Sequence, residues 1–155
     1  MPRNKILIAL VVCALILGNL SMSASASEQN NAVISLKALK SEFVGTSALS
    51  EWNSNVKERA FARIDISIPA NTITAAKSQS FSLEAGEVVR INCSYSPMSA
   101  SVDFGLLAPD GYFYYERVTS GDINKAIQVD ERGTYILAVR NNSSDTVSVV
   151  GFVHY

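Results

Sequence analysis

From Arg63 to the end of the chain, apolar and polar residues alternate with a period of two. Ile64, Ile66 and Ile68 share one side, against Arg63, Asp65 and Ser67 on the other. Phe81 and Leu83 alternate with serines and lead into a turn at Gly86. The runs "VVRINCSY", "SVDFGLL", "GYFYYERV", "INKAIQV", "TYILAVR" and "TVSVVGFVHY" repeat the pattern, separated by segments such as "SPMSA", "APDG", "DERG" and "NNSSD". Neighbouring side chains of a strand point to opposite faces, so each run offers one apolar face to a core. About eight short strands with turn residues between them predict an all-β fold, an antiparallel β-sandwich of jelly-roll-like kind. The gaps are too short for the crossover helices of a parallel sheet.

Upstream the period changes. Leu49, Trp52, Val56 and Ala60 fall three and four apart, on one face of a helix. Ser47 or Ser50 is placed to cap it. Leu36, Leu39 and Phe43 repeat the spacing more weakly and end near Gly45. The expectation is a short, partly helical extension over residues 27–62, packed on a sandwich domain over residues 63–155 through Leu49, Trp52 and Val56.

Residues 1–26 read as a signal peptide. Arg3 and Lys5 precede the apolar run "ILIALVVCALILGNL", and Ala24-Ser25-Ala26 fits the small-x-small cleavage pattern. The run is short for a membrane span of roughly twenty residues, so cleavage after Ala26 and export are expected, with no membrane span in the mature chain. Loss of Arg3 and Lys5 moves the formal charge by two units, from −1 to −3. That balance carries no basic excess for nucleic acid or anionic lipid. Cys13 leaves with the leader, so Cys93 has no internal disulfide partner. It alternates with Val89, Ile91 and Tyr95, which predicts a buried, unreactive thiol.

Catalytic chemistry finds little to work with. His154 is the single histidine and no G-x-S-x-G elbow occurs. The candidate carboxylates are Asp103, Asp110, Glu116, Asp122 and Asp130, and Asp110, Asp122 and Asp130 fall in turn motifs that account for them. One Cys and one His do not make a zinc site, and no Asp-x-Asp-x-Asp spacing marks a calcium loop. No cofactor and no enzymatic activity are expected. Asn92, Asn141 and Asn142 match the glycosylation sequon.

"FSLEAGEVVRI", "SVDFGLLAPDG" and "RGTYILAVRNNSSDTVSVVGF" resemble the GOLD domain, the lumenal β-sandwich of the p24 cargo receptors. Pro109-Asp110-Gly111, Gly133-x-Tyr135 and Asn141 to Ser144 stand where that family has its turn, its Gly-x-Tyr and its Asn with a Ser-rich turn. Bacterial pre-peptidase C-terminal sandwiches share a similar "G-x-Y…N" ending. Ala138 stands where the receptors commonly carry cysteine, and the sequence ends at Tyr155, where they continue into a coiled coil and membrane span. The resemblance is therefore carried over for the fold and not for vesicle traffic. Both families imply a non-catalytic module outside the cytoplasm.

The remaining candidate is the aromatic run Tyr112, Phe113, Tyr114 and Tyr115 after the turn at Pro109-Asp110-Gly111. Alternation places Phe113 inward with Tyr115 beside it, and projects Tyr112 and Tyr114 outward with Glu116. Tyrosine suits that position because its ring packs while its hydroxyl stays wet. Val118 shares the Tyr112 face, so burial of that face would reverse the assignment. The sequence thus predicts a secreted binding or accessory module, extracellular or cell-surface associated, that meets a protein or glycan partner through Tyr112, Tyr114 and Glu116. The alternative is a self-associating envelope or matrix component.

Overall fold

The computed structural model describes residues 32–45, 49–51, 61–76 and 80–155. The expected leader lies outside them, as do Trp52, Val56 and Ala60 of the expected helix. Among the described residues the eight strands read from the sequence are all present: β4 (Phe61–Ile68), β6 (Phe81–Leu83), β7 (Val88–Ser96), β8 (Val102–Leu107), β9 (Tyr112–Val118), β10 (Asp122–Gln128), β11 (Gly133–Asn141) and β12 (Val147–His154). Four further short ones join them: β1 (Val33–Ser35), β2 (Lys40–Phe43), β3 (Ser50–Glu51) and β5 (Ile73–Ala75).

Two sheets result. One runs β1-β10-β7-β12-β4; the other runs β2-β9-β8-β11-β5-β3, with β6 also on β11. The long strands pair antiparallel, as the short connections require, while β1 on β10 and β3 on β5 are parallel. The main core lies between the sheets. Ile91, Ile127, Val149 and Ile64 from the first sheet meet Phe104, Leu106, Leu137 and Val139 from the second. Alternation is visible along β7, where Val89, Ile91, Cys93 and Tyr95 are buried and the residues between them are exposed.

The segment before residue 45 departs from the helical reading. Leu36, Leu39 and Phe43 do not line a helix; one 3-10 turn at Leu36–Ala38 sits between β1 and β2. Local spacing lost to tertiary pairing here. β1 gains a ladder on β10, and Asp130 accepts hydrogen bonds from the Ser35 hydroxyl (2.8 Å) and the Lys37 amide (3.0 Å). That pinned turn lets Leu36 and Leu39 reach the main core.

The second sheet also buries part of its other face. Leu107, Phe113 and Ala138 form a smaller core there with Ala75 of β5 and Leu49. Val44 packs at its side. β8 is consequently buried along its whole length, including the charged Asp103.

Candidate functional site

Two cores around one sheet decide where the aromatic run points. Phe113 is fully buried, as expected, but in the smaller core, with Tyr115 stacked on it at 5.1 Å. The opposite face of β9, which the alternation assigned to solvent, points at the main core instead. Val118 is buried there and Tyr114 packs against the same cluster. The outward assignment of Tyr114 and Glu116 is therefore corrected. Its physical cause is the cover that Leu49, β5 and Val44 give to the other face.

Tyr112 keeps its exposure because it lies at the rim, where β9 leaves the sandwich. It is 41% exposed, and Phe43, directly opposite on β2, is 66% exposed. Their rings meet edge to face at 5.4 Å. The ledge is held from below. Gly111 takes a left-handed φ of 84°, and a Cβ built there would come within 2.9 Å of the Phe43 ring. Glycine thus provides both the turn and the seat for the ring. The amides of Val44 and Gly45 both donate to the Gly111 carbonyl at 3.2 Å. Asp110 fixes the turn by accepting the Tyr112 amide at 3.0 Å and the Tyr114 hydroxyl at 2.8 Å. That hydrogen bond to Asp110 is the main cause holding the Tyr114 phenol above its ordinary pKa, so it stays a neutral donor.

Glu116 does not extend the ledge. It forms an ion pair with Lys125 at 3.4 Å, and that pair bridges the two sheets from β9 to β10. Both side chains are half-buried at that flank of the sandwich.

The outer face of β8, β9 and β11 carries an ionic network that the sequence did not disclose. Asp103 lies directly opposite Arg117 on one side and Arg140 on the other. Arg117 donates to Asp103 through Nε (2.8 Å) and Nη2 (3.1 Å), and Arg140 through Nε at 2.9 Å. Arg140 also reaches over β8 and β9 to Glu42 on β2, at 2.6 Å. Its guanidinium lies 4.6 Å above the Tyr115 ring. Burial alone would raise the Asp103 pKa, but the donors, Arg117 foremost, outweigh it and hold the carboxyl below its usual range. Asp103 stood among the candidate carboxylates of the sequence, but its partners come from other strands and are invisible to a local pattern.

The motif residues behind the family resemblance have structural work. A Cβ on Gly133 would stand 2.4 Å from the Pro109 ring, so glycine there admits the proline turn. The Tyr135 hydroxyl donates to the Glu131 carbonyl at 2.7 Å and closes the corner before β11. Asn141 is fully buried. Its amide nitrogen faces the carbonyls of Ile68, Pro69 and Asp145 at 2.7–3.1 Å, and its oxygen accepts the Ser143 amide at 2.8 Å. A sequon asparagine held this way has no free amide to modify in the folded chain.

Cys93 is buried on the face that the sequence assigned to it, and burial pushes its pKa up to about 12. His154 meets the ring of Phe61 edge to face at 4.9 Å. Among the described residues no group of three His, Cys, Asp or Glu side chains could hold a metal ion, and no helix is long and apolar enough to cross a membrane.

No family model matches the chain, and no curated protein matches it. Among solved structures, the crystal structure of Aeromonas hydrophila PliG, a periplasmic lysozyme inhibitor of g-type lysozyme, is similar with a TM-score of 0.47 and 14% identity, over 69% of this chain and 95% of that one. The match assigns no role to any residue here.

Proposed function

We propose that the chain is a non-catalytic binding module, exported by its N-terminal leader, that engages a protein partner through the ledge of Phe43 and Tyr112. The observation that carries this reading is the exposure of two directly paired aromatic rings seated on the hydrogen-bonded turn at Gly111. An exposed large ring costs solubility, whereas a ring already locked in place loses little entropy when a partner covers it. Aromatic anchors of this kind dominate protein interfaces. Several groups that could have carried chemistry are taken up by the fold: Cys93 by burial, Asp103 by two arginines, Asp110 by the turn, Glu116 by Lys125 and Asp130 by Ser35 and Lys37.

The test replaces both rings by serine, Phe43→Ser with Tyr112→Ser, and compares the folded double variant with the parent. A photo-crosslinking side chain at position 43 of the mature chain should capture a specific protein from the extracytoplasmic fraction. The reading expects capture to compete with unlabelled parent and not with the double variant. Equal competition by the two would remove the ledge as the site. Competition by soluble glycans alone would make the partner a sugar.

A further inference from the structure

We infer that β4 is a docking edge for a second copy of this chain, paired antiparallel about a twofold axis at Ile64. Among the described residues no strand covers the outer edge of β4, which ends its sheet after eight residues of regular alternation. A strand edge of that length, with its unpaired N–H and C=O groups, is a template for another strand. Natural edges are blunted by charged side chains, lysine above all, or by prolines; β4 also carries charges, but of opposite sign, which a second copy turned around can match. It carries one cation and one anion, Arg63 and Asp65, two residues apart on the outer face.

That arrangement selects a register. Across a twofold axis perpendicular to the sheet, outer-face residues meet only outer-face residues, so the pairing can shift only in steps that keep the pleat. Centred on Ile64, each Arg63 stands opposite the other copy's Asp65. Centred one residue earlier, Arg63 meets Arg63; centred one later, Asp65 meets Asp65. Opposite charges directly across a strand pair are favourable and like charges are not. Within one copy Arg63 and Asp65 already form an ion pair at 3.1 Å, but both are well exposed, so exchange between copies gives up little.

The flanking residues agree with this register. On the inner face Ile66 is only half-buried, unlike Ile64 and Ile68, and the register sets it against the second copy's Ala62. The main core would then run on across the axis. On the outer face the stacked pair Phe61 and Phe152, 4.9 Å apart, and the exposed Val150 border the junction. Phe152 and Val150 lie directly opposite Arg63 and Asp65 on β12. The occupant that fits all of this is the same strand turned around.

Sedimentation velocity of the mature chain over a range of concentrations tests the inference. The parent should shift with concentration to a species of twice the mass, without help from Cys93. Arg63→Asp alone and Asp65→Arg alone each place like charges across the axis and should weaken the dimer by about tenfold or more. The double exchange, carrying both substitutions, restores the complementarity and the dimer. Mixing the two single variants should also give a dimer, because each supplies what the other lacks. Far-UV circular dichroism checks that every variant is folded. A parent that stays monomeric throughout, or single variants that dimerise as the parent does, would overturn the inference.

Discussion

Arg140 sets both Nε and Nη2 on one oxygen of Asp103, at 2.9 and 2.8 Å, from the directly opposing position of the neighbouring strand. Arg117 comes from the far side and spans both oxygens, with Nε on the second one at 2.8 Å and Nη2 on the shared one at 3.1 Å. The carboxylate is fully buried, and these donors are what keep it ionised. Replacing it by alanine leaves two guanidinium groups facing each other with nothing between them. Breaking a buried pair in this way costs about 3–5 kcal/mol, and the exposure of Arg117 places the expected loss at the lower end. Asp103→Ala should therefore lower the midpoint of chemical denaturation sharply. The pH dependence has a definite sign. A carboxyl whose pKa is depressed by folding stabilises the folded state above its unfolded pKa, near 4, and that stability is lost as the pH falls through the lower folded value. Asp103→Asn should flatten the acid limb of the stability curve.

Asn141 gives the opposite sign. Its amide nitrogen is surrounded by three carbonyl oxygens, so a carboxylate there would face acceptors with no proton to offer. Asn141→Asp should be destabilised at neutral pH and recover as acid protonates the new side chain. Asn141→Ala should lose more than about 2 kcal/mol at every pH, since buried carbonyls are left without a donor. Thermal melts of both variants from acid to neutral pH would separate the two behaviours. A flat profile for Asn141→Asp would show that the loop rearranges around it.

These two residues show what a local pattern can and cannot carry. Most of the strands were legible because apolar residues recur along them at two-residue spacing and turn residues such as Gly86, Pro97, Pro109 and Gly121 follow them. Cys93 was legible for the same reason: its neighbours at two-residue spacing, Val89, Ile91 and Tyr95, are all core. The error at Tyr114 arose because β9 is buried on both faces. Alternation says which side chains share a face and is silent on which face meets more protein. The segment at Leu36–Phe43 failed for a related reason. Its spacing suits a helix, but a 3-10 turn between two strands places Leu36 and Leu39 in the core as well, and the choice is made by distant partners: the ladders of β1 on β10 and β2 on β9 and the contact with Asp130. The ledge was half legible. Tyr112 stood out in the sequence, while Phe43, its partner on β2, was assigned to a helix face.

Cys93 should be inert in the native chain. Burial pushes its pKa up to about 12, so the thiolate that would attack a reagent is scarce near neutral pH, and the sulfur is inaccessible as well. A disulfide-exchange reagent should label the native protein only at the rate of unfolding and label it at once in denaturant. Fast labelling of native protein would place the side chain at the surface.

The corrected orientation of β9 predicts that its two tyrosines respond differently to the same substitution. Tyr112 lies at the rim and leans on Phe43, so Tyr112→Ser removes a ring that is already largely in water. Its cost should stay within about 1 kcal/mol, the range of an exposed aromatic contact. Tyr114 packs on the main core and ties its hydroxyl to Asp110 at 2.8 Å. Tyr114→Phe isolates the hydroxyl and should cost about 1 kcal/mol, the usual net worth of one hydrogen bond. Tyr114→Ser empties part of the core rim as well and should cost about 2–4 kcal/mol, somewhat less than a fully buried aromatic. Equilibrium unfolding in urea measures all three. The order expected is Tyr112→Ser and Tyr114→Phe close to the parent, with Tyr114→Ser well below both. If Tyr112→Ser proved the most damaging, the ledge would be part of the core and unavailable to a partner.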